Sequence, residues 1–138
     1  MLSRLLGVDP QRRFWKWFED NASSLAAVKS GNDPILQKVI RELSKVHPNL
    51  DFEMGLSDNE QLEFIVSANG IRGVFPIVEQ LVACAPTLPN WKIIAFRQPK
   101  GSVPEILYDN FLLKEEDVWF SYKRRMDKVD LTIYIRDL

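Results

Sequence analysis

Leu50-Asp51-Phe52-Glu53-Met54 is where the architecture declares itself, because apolar side chains recur there at every second position. That spacing belongs to a strand with one dry and one wet face. Immediately upstream the period is helical. Ile35, Leu36, Val39, Ile40, Leu43 and Val46 form a stripe at helical spacing,. Asp33 is placed to cap that helix, and Pro34 suits its first position, where a missing N–H has no intrahelical partner,. His47-Pro48-Asn49 ends it, since a proline drives the residue before it out of the helical region,. The period therefore switches from 3.6 to 2 at residue 50.

Working outward towards the N-terminus, residues 11–29 carry Phe14, Trp15, Trp17, Phe18, Ala22, Leu25 and Val28 at positions that fit a helix of about five turns,. Ser30-Gly31 is the stop signal, with Gly31 suited to a left-handed cap,. Two helices with so short a connection predict an antiparallel helical hairpin. Towards the C-terminus, Leu62, Phe64, Val66 and Ala68 alternate with Glu63, Ile65 and Ser67, predicting a second strand,. A third helix is expected over 74–85, with Val74, Ile77, Val78, Leu81, Val82 and Ala85 as its apolar side and Pro86 as its end. Trp91-Lys92-Ile93-Ile94-Ala95-Phe96 is apolar on both sides of the alternation, as for a central strand or one covered by the helical hairpin,. After a turn at 97–101, short extended pieces follow at 106–108 and 111–113. Better strands follow at 118–122 and 129–135, joined by the charged loop 123–127, and Val129, Leu131, Ile133 and Ile135 of the last face one way.

The order αα, ββ, α, β and then an antiparallel meander predicts the α+β class, as one domain over residues 1–138. We expect the N-terminal helical hairpin and the third helix to pack on a mostly antiparallel sheet of about five to six strands. A parallel crossover around the third helix fits this order.

Composition narrows the function classes. With 46% hydrophobic and 27% charged residues, the 138-residue chain has the make-up of an ordinary globular protein,. A net charge of −1 provides no overall field towards nucleic acid or anionic lipid,. Neither is expected as a partner. The single cysteine, Cys84, cannot form an intrachain disulfide, and no run approaches the ~18 apolar residues of a spanning helix,. The stretch Met1-Leu2-Ser3-Arg4-Leu5-Leu6-Gly7 is too short in apolar run for a signal segment,. A cytoplasmic location is the expectation.

No catalytic set is legible, and no metal or cofactor is expected. One His and one Cys, distant in sequence, do not make a zinc site,. His47 would have to serve any Ser or Cys nucleophile, but a helix end gives it a structural role beside the negative pole of the dipole,. Cys84 lies at helical spacing from Leu81 and Ile77 and is expected to be buried as a small hydrophobe,.

Three features stand out as candidate binding residues. Phe14-Trp15-Lys16-Trp17-Phe18 spreads four rings over about 160° of helix surface, wider than the usual buried stripe,. Either the helix is clamped between layers, or Trp15 or Trp17 is left for a partner. Residues 51–90 hold Asp51, Glu53, Asp58, Glu60, Glu63 and Glu79 against Arg72 alone. On paired strands Asp51, Glu53 and Glu63 would share a face, as a solvated surface, a hard-cation site or a carboxylate pocket. Arg72, in Asn69-Gly70-Ile71-Arg72-Gly73 before a helix, is the nearest approach to an anion cradle,.

The strings Phe14-Trp15-Lys16-Trp17-Phe18, Pro48-Asn49-Leu50-Asp51-Phe52-Glu53 and Leu88-Pro89-Asn90-Trp91-Lys92-Ile93-Ile94-Ala95-Phe96-Arg97 together resemble small bacterial proteins with no assigned activity. The resemblance covers most of the chain, implies a bacterial source and carries over no site residue. The leading expectation is a non-enzymatic protein-binding or regulatory module whose partner is another protein or a second copy. The alternative is a small-ligand-binding protein or carboxylate-based enzyme with a pocket near Asp51, Glu53 and Glu63.

Overall fold

The computed structural model describes residues 9–99, 101 and 105–136. The signal-segment reading of residues 1–7 lies outside them, as does Lys100 of the expected turn. The chain is α+β, and its contacts gather into two compact units, Met1–Arg97 and Gln98–Leu138.

In the first unit, α1 (Pro10–Ala26) and α2 (Pro34–Val46) are the two expected helices. Each begins with the same device. Asp9 Oδ1 accepts from Gln11 N at 3.2 Å and Asp33 Oδ1 from Ile35 N at 3.0 Å, each with proline at the start of its helix. An aspartate so placed supplies the acceptor that the first-turn N–H groups lack. α1 stops three residues before the sequence signal. The amide of Ala27 bonds to the carbonyls of Ser24 and Leu25, tightening the last turn before Gly31 is reached,.

β1 (Asp51–Leu56) and β2 (Leu62–Ser67) pair antiparallel, with Glu53 opposite Ile65 and Met54 opposite Phe64. A single 3₁₀ turn (Arg72–Val74) leads into α3 (Phe75–Ala83), which carries the chain to β3 (Trp91–Ala95). β3 lies parallel to β2, and the sheet order is β1-β2-β3. The strand that is apolar on both faces is thus an edge strand, and its Trp91 sits against Phe18 of α1 with ring centroids 5.1 Å apart.

One aromatic cluster holds this unit together. Phe14, Phe18, Leu25, Val39, Leu43, Phe64, Val66, Val78 and Leu81 are at most 1% exposed, and they come from all three helices and β2. Phe64, on the central strand, lies within 4.8–6.3 Å of Phe14, Trp15, Phe18 and Phe52. Those distances are the edge-to-face and offset range in which rings attract beyond simple area burial.

The second unit contains two hairpins. β4 (Ile106–Tyr108) pairs with β5 (Phe111–Leu113) across Asp109-Asn110. A 3₁₀ turn (Glu115–Asp117) then leads to β6 (Val118–Arg125), which pairs with β7 (Lys128–Ile135) over its full length. The single sheet of five to six strands expected from the sequence is therefore three sheets among the described residues, of three, two and two strands. Two physical causes are visible. Phe96 adopts φ 61, a left-handed value that costs a bulky residue strain and ends β3,. Beyond it, neighbours in sequence pair across two-residue turns, the contacts that cost least loop entropy.

Candidate functional site

The aromatic helix belongs mostly to the core. Trp15 is 2% exposed, and its indole Nε1–H donates to Leu81 O of α3 at 2.7 Å. A buried indole needs such an acceptor. Trp17 is half-buried and packs at the margin of the cluster, its ring 6.3 Å from that of Phe14. Lys16, on the wet side of α1, pairs with Asp20 at 2.7 Å.

Register puts the three carboxylates on one face of the first sheet. Asp51 opposes Ser67, Glu53 opposes Ile65, and Glu63 opposes Gly55 and Lys92. They do not converge on a common point. Glu53 is hydrogen-bonded to the Arg97 guanidinium, which that pairing pushes above its usual range. Glu63 lies 3.8 Å from Lys92 Nζ, and Asp51 Oδ1 accepts from Phe52 N at 2.8 Å. Each carboxylate thus has its own partner, the Glu53–Arg97 pair being exposed and the Glu63 side chain only 14% exposed. No cluster of three His, Cys, Asp or Glu side chains that could hold a metal ion occurs among the described residues. A groove of about 420 Å³ does exist in this unit, lined by Val28, Lys29, Leu36, Phe52 and Met54. Phe52 and Met54 alternate with Asp51 and Glu53, so the groove opens on the opposite face from the carboxylates,.

Arg72 stands exposed at the start of its 3₁₀ turn. His47 ends α2, and its Nδ1 accepts from Asn49 N at 3.2 Å, a local turn contact.

Cys84 departs from expectation. It is exposed at the end of α3 instead of buried, because the helix finishes at Ala83 and the thiol lies at its rim. Its Sγ nevertheless turns inward, 3.2 Å from Leu81 O and 3.6 Å from Gln11 Oε1. Partial burial pushes the thiol above the ordinary cysteine range, a hydrogen bond involving Trp15 works against it, and the charge of Asp9 adds to it. The thiolate is the reactive form, so Cys84 is expected to be alkylated by iodoacetamide at neutral pH more slowly than glutathione assayed alongside. The rate should keep rising at pH values where glutathione has levelled off. An equal or faster rate at neutral pH would contradict the inward-turned geometry.

Among the described residues, most of the exposed large apolar side chains are on the β6–β7 hairpin. Register places Val118 with Ile135, Phe120 with Ile133, Tyr122 with Leu131 and Arg124 with Val129 on one face. Exposure along it is 63% at Phe120, 58% at Tyr122, 58% at Leu131 and 61% at Ile133. The other face carries Trp119 stacked on Tyr134 at 5.7 Å, then Ser121, Thr132 and the pair Arg125–Asp130 at 2.6 Å. The hairpin is amphipathic, and its dry face is bare. The alternation of Val129, Leu131, Ile133 and Ile135 is plain in the sequence, but there it reads as the inner face of a shared sheet.

Charge is also graded along this hairpin. Lys123, Arg124, Lys128 and Asp127 at its tip, an excess of cations, have no ion pair among the described residues, and neither do Glu115 and Glu116 at its open end. Asp117 and Arg136 meet each other at 3.6 Å across that open end. No helix among the described residues is long and apolar enough to cross a membrane. No family model, curated protein or solved structure matches the chain.

Proposed function

We propose that this chain is a non-enzymatic protein-binding module, acting in the bacterial cytoplasm, whose contact surface is the apolar face of the β6–β7 hairpin. One observation carries the reading. A continuous row of Val118, Phe120, Tyr122, Val129, Leu131 and Ile133 stands between 38% and 63% exposed on a single two-stranded ribbon. Such a ribbon is marginal in water unless something covers its dry face. Exposed apolar patches of several hundred Å² mark interaction surfaces, and Phe and Tyr contribute much contact area at low entropic cost. The cytoplasmic setting fits the lone Cys84, which can make no intrachain disulfide,.

The test compares the full chain with Phe120→Asp/Ile133→Asp and with Ser121→Asp on the opposite face. Each is immobilised in a lysate of the cells that make it. The double substitution is expected to weaken retention of the bound proteins roughly 30-fold, the cost of losing a hot spot of about 2 kcal/mol. Ser121→Asp should leave retention intact. An unchanged set of retained proteins with Phe120→Asp/Ile133→Asp, its helical signal preserved, would overturn the proposal.

A further inference from the structure

We infer that the occupant of the hairpin face is a second copy of this chain, packed face to face about a two-fold axis perpendicular to the strands. This rests on the hairpin face being the binding surface, and it adds which partner that surface fits. Shape, area and charge each bear on the choice.

The dry face is flat and one ribbon wide. Two such faces stacked give a four-stranded sandwich with an interior about 10 Å thick, the spacing at which side chains of opposed sheets interdigitate. Each copy would bury on the order of 600 Å² of side chain, with Phe120, Tyr122, Leu131 and Ile133 at the centre. The charged residues at both ends extend this towards the roughly 800 Å² per partner of a standard interface.

Charge fixes the orientation. An axis parallel to the strands would set tip on tip, bringing Lys123, Arg124 and Lys128 of two copies together. The perpendicular axis sets each tip on the other copy's open end. Arg124, which shares the dry face, would then lie beside Glu115 and Glu116 of the second chain. The excess cations of the tip, Lys123, Arg124 and Lys128 against Asp127, and the unpaired Glu115 and Glu116 of the open end complement each other across the axis. An isologous interface requires just this self-complementarity. A generic apolar partner would not account for opposite charges at the two ends.

Sedimentation or light scattering of the full chain up to about 100 µM should give twice the chain mass, since interfaces of this size associate in that range. Arg124→Glu, and separately Glu115→Lys/Glu116→Lys, should each weaken the dimer about tenfold by setting like charges together. Combining all three in one chain restores opposite charges across the two-fold and should recover most of the lost affinity. Phe120→Asp/Ile133→Asp should abolish the dimer. A wild-type monomer at that concentration overturns the second-copy assignment, as does a dimer that ignores both charge reversals. If the monomer's retention of other proteins still depends on Phe120 and Ile133, only the second-copy assignment fails. If it does not, the hairpin reading fails as well.

Discussion

Phe18→Ala is expected to remove about 3–5 kcal/mol of stability, the cost of truncating a fully buried aromatic whose surroundings relax only in part. Phe18 is 0% exposed, and its ring meets four others: Trp15 at 5.5 Å, Phe64 at 4.8 Å, Trp91 at 5.1 Å and Phe14 at 6.2 Å. Those contacts join α1 to β2 and to β3, so the lost volume would open at the helix–sheet junction. Small domains are stable by only about 5–15 kcal/mol, and a loss of this size shifts the urea midpoint far enough to measure without ambiguity. Two substitutions on the same helix calibrate it. Trp17→Ala, at a half-buried position, should cost clearly less. Trp15→Phe keeps most of the ring but loses the bond to Leu81 O, so it should cost about 1 kcal/mol,. A Phe18→Ala midpoint within experimental error of the wild type would mean that α1 does not sit on the sheet as described.

The helices were legible because their signals are local. Asp33-Pro34 places acceptor and proline where a first turn needs them and the structure uses it, while the same device at Asp9-Pro10 starts α1 one residue before the sequence reading places it. The strand period at residue 50 was equally secure, since Asp51 and Glu53 cannot share the dry face with Phe52 and Met54,. What covers a strand's face is not local. The sequence of β3 is apolar on both sides, yet the strand lies at an edge, and nothing in residues 91–96 specifies how many neighbours pair with them. The same limit applies to residues 118–135. Alternation shows that the strands have a dry side but not that β6 and β7 pair only with each other.

The candidate site followed the same division. Alternation alone put Asp51, Glu53 and Glu63 on one face, and they are there. Their separate partners were beyond reach. Lys92 meets Glu63 through the parallel register of β2 with β3, and Arg97 reaches Glu53 from beyond the end of β3. A crossover of more than twenty residues sets both pairings. In the aromatic run, a span of 160° of ring surface left open whether the rings were clamped or presented. The clamp at Trp15 depends on a carbonyl of α3, 66 residues away in sequence.

Residues 98–138 made as a separate peptide are expected to lack stable structure as a monomer, whereas residues 1–97 should keep their helical signal and unfold cooperatively. All fifteen buried apolar residues among those described lie between Phe14 and Trp91. The first unit therefore carries its own core, and its length is ordinary for an independently folding domain,. The second carries two separate two-stranded ribbons, and nearly every residue of β6 and β7 is exposed. A chain of about 40 residues without a core, disulfide or metal does not offset its conformational entropy. Cross-strand pairs such as Phe120–Ile133 and Trp119–Tyr134 contribute roughly 0.2–1 kcal/mol each, too little to hold the ribbon alone,. Association changes that balance by mass action. If a second copy covers the dry face, strand signal in the peptide should grow with concentration, and Arg124→Glu should suppress that growth. Far-UV circular dichroism and amide proton dispersion across a dilution series would record both. A dispersed spectrum that persists in the dilute monomer would show that the ribbon needs no cover, and would remove the physical reason for expecting a partner on it.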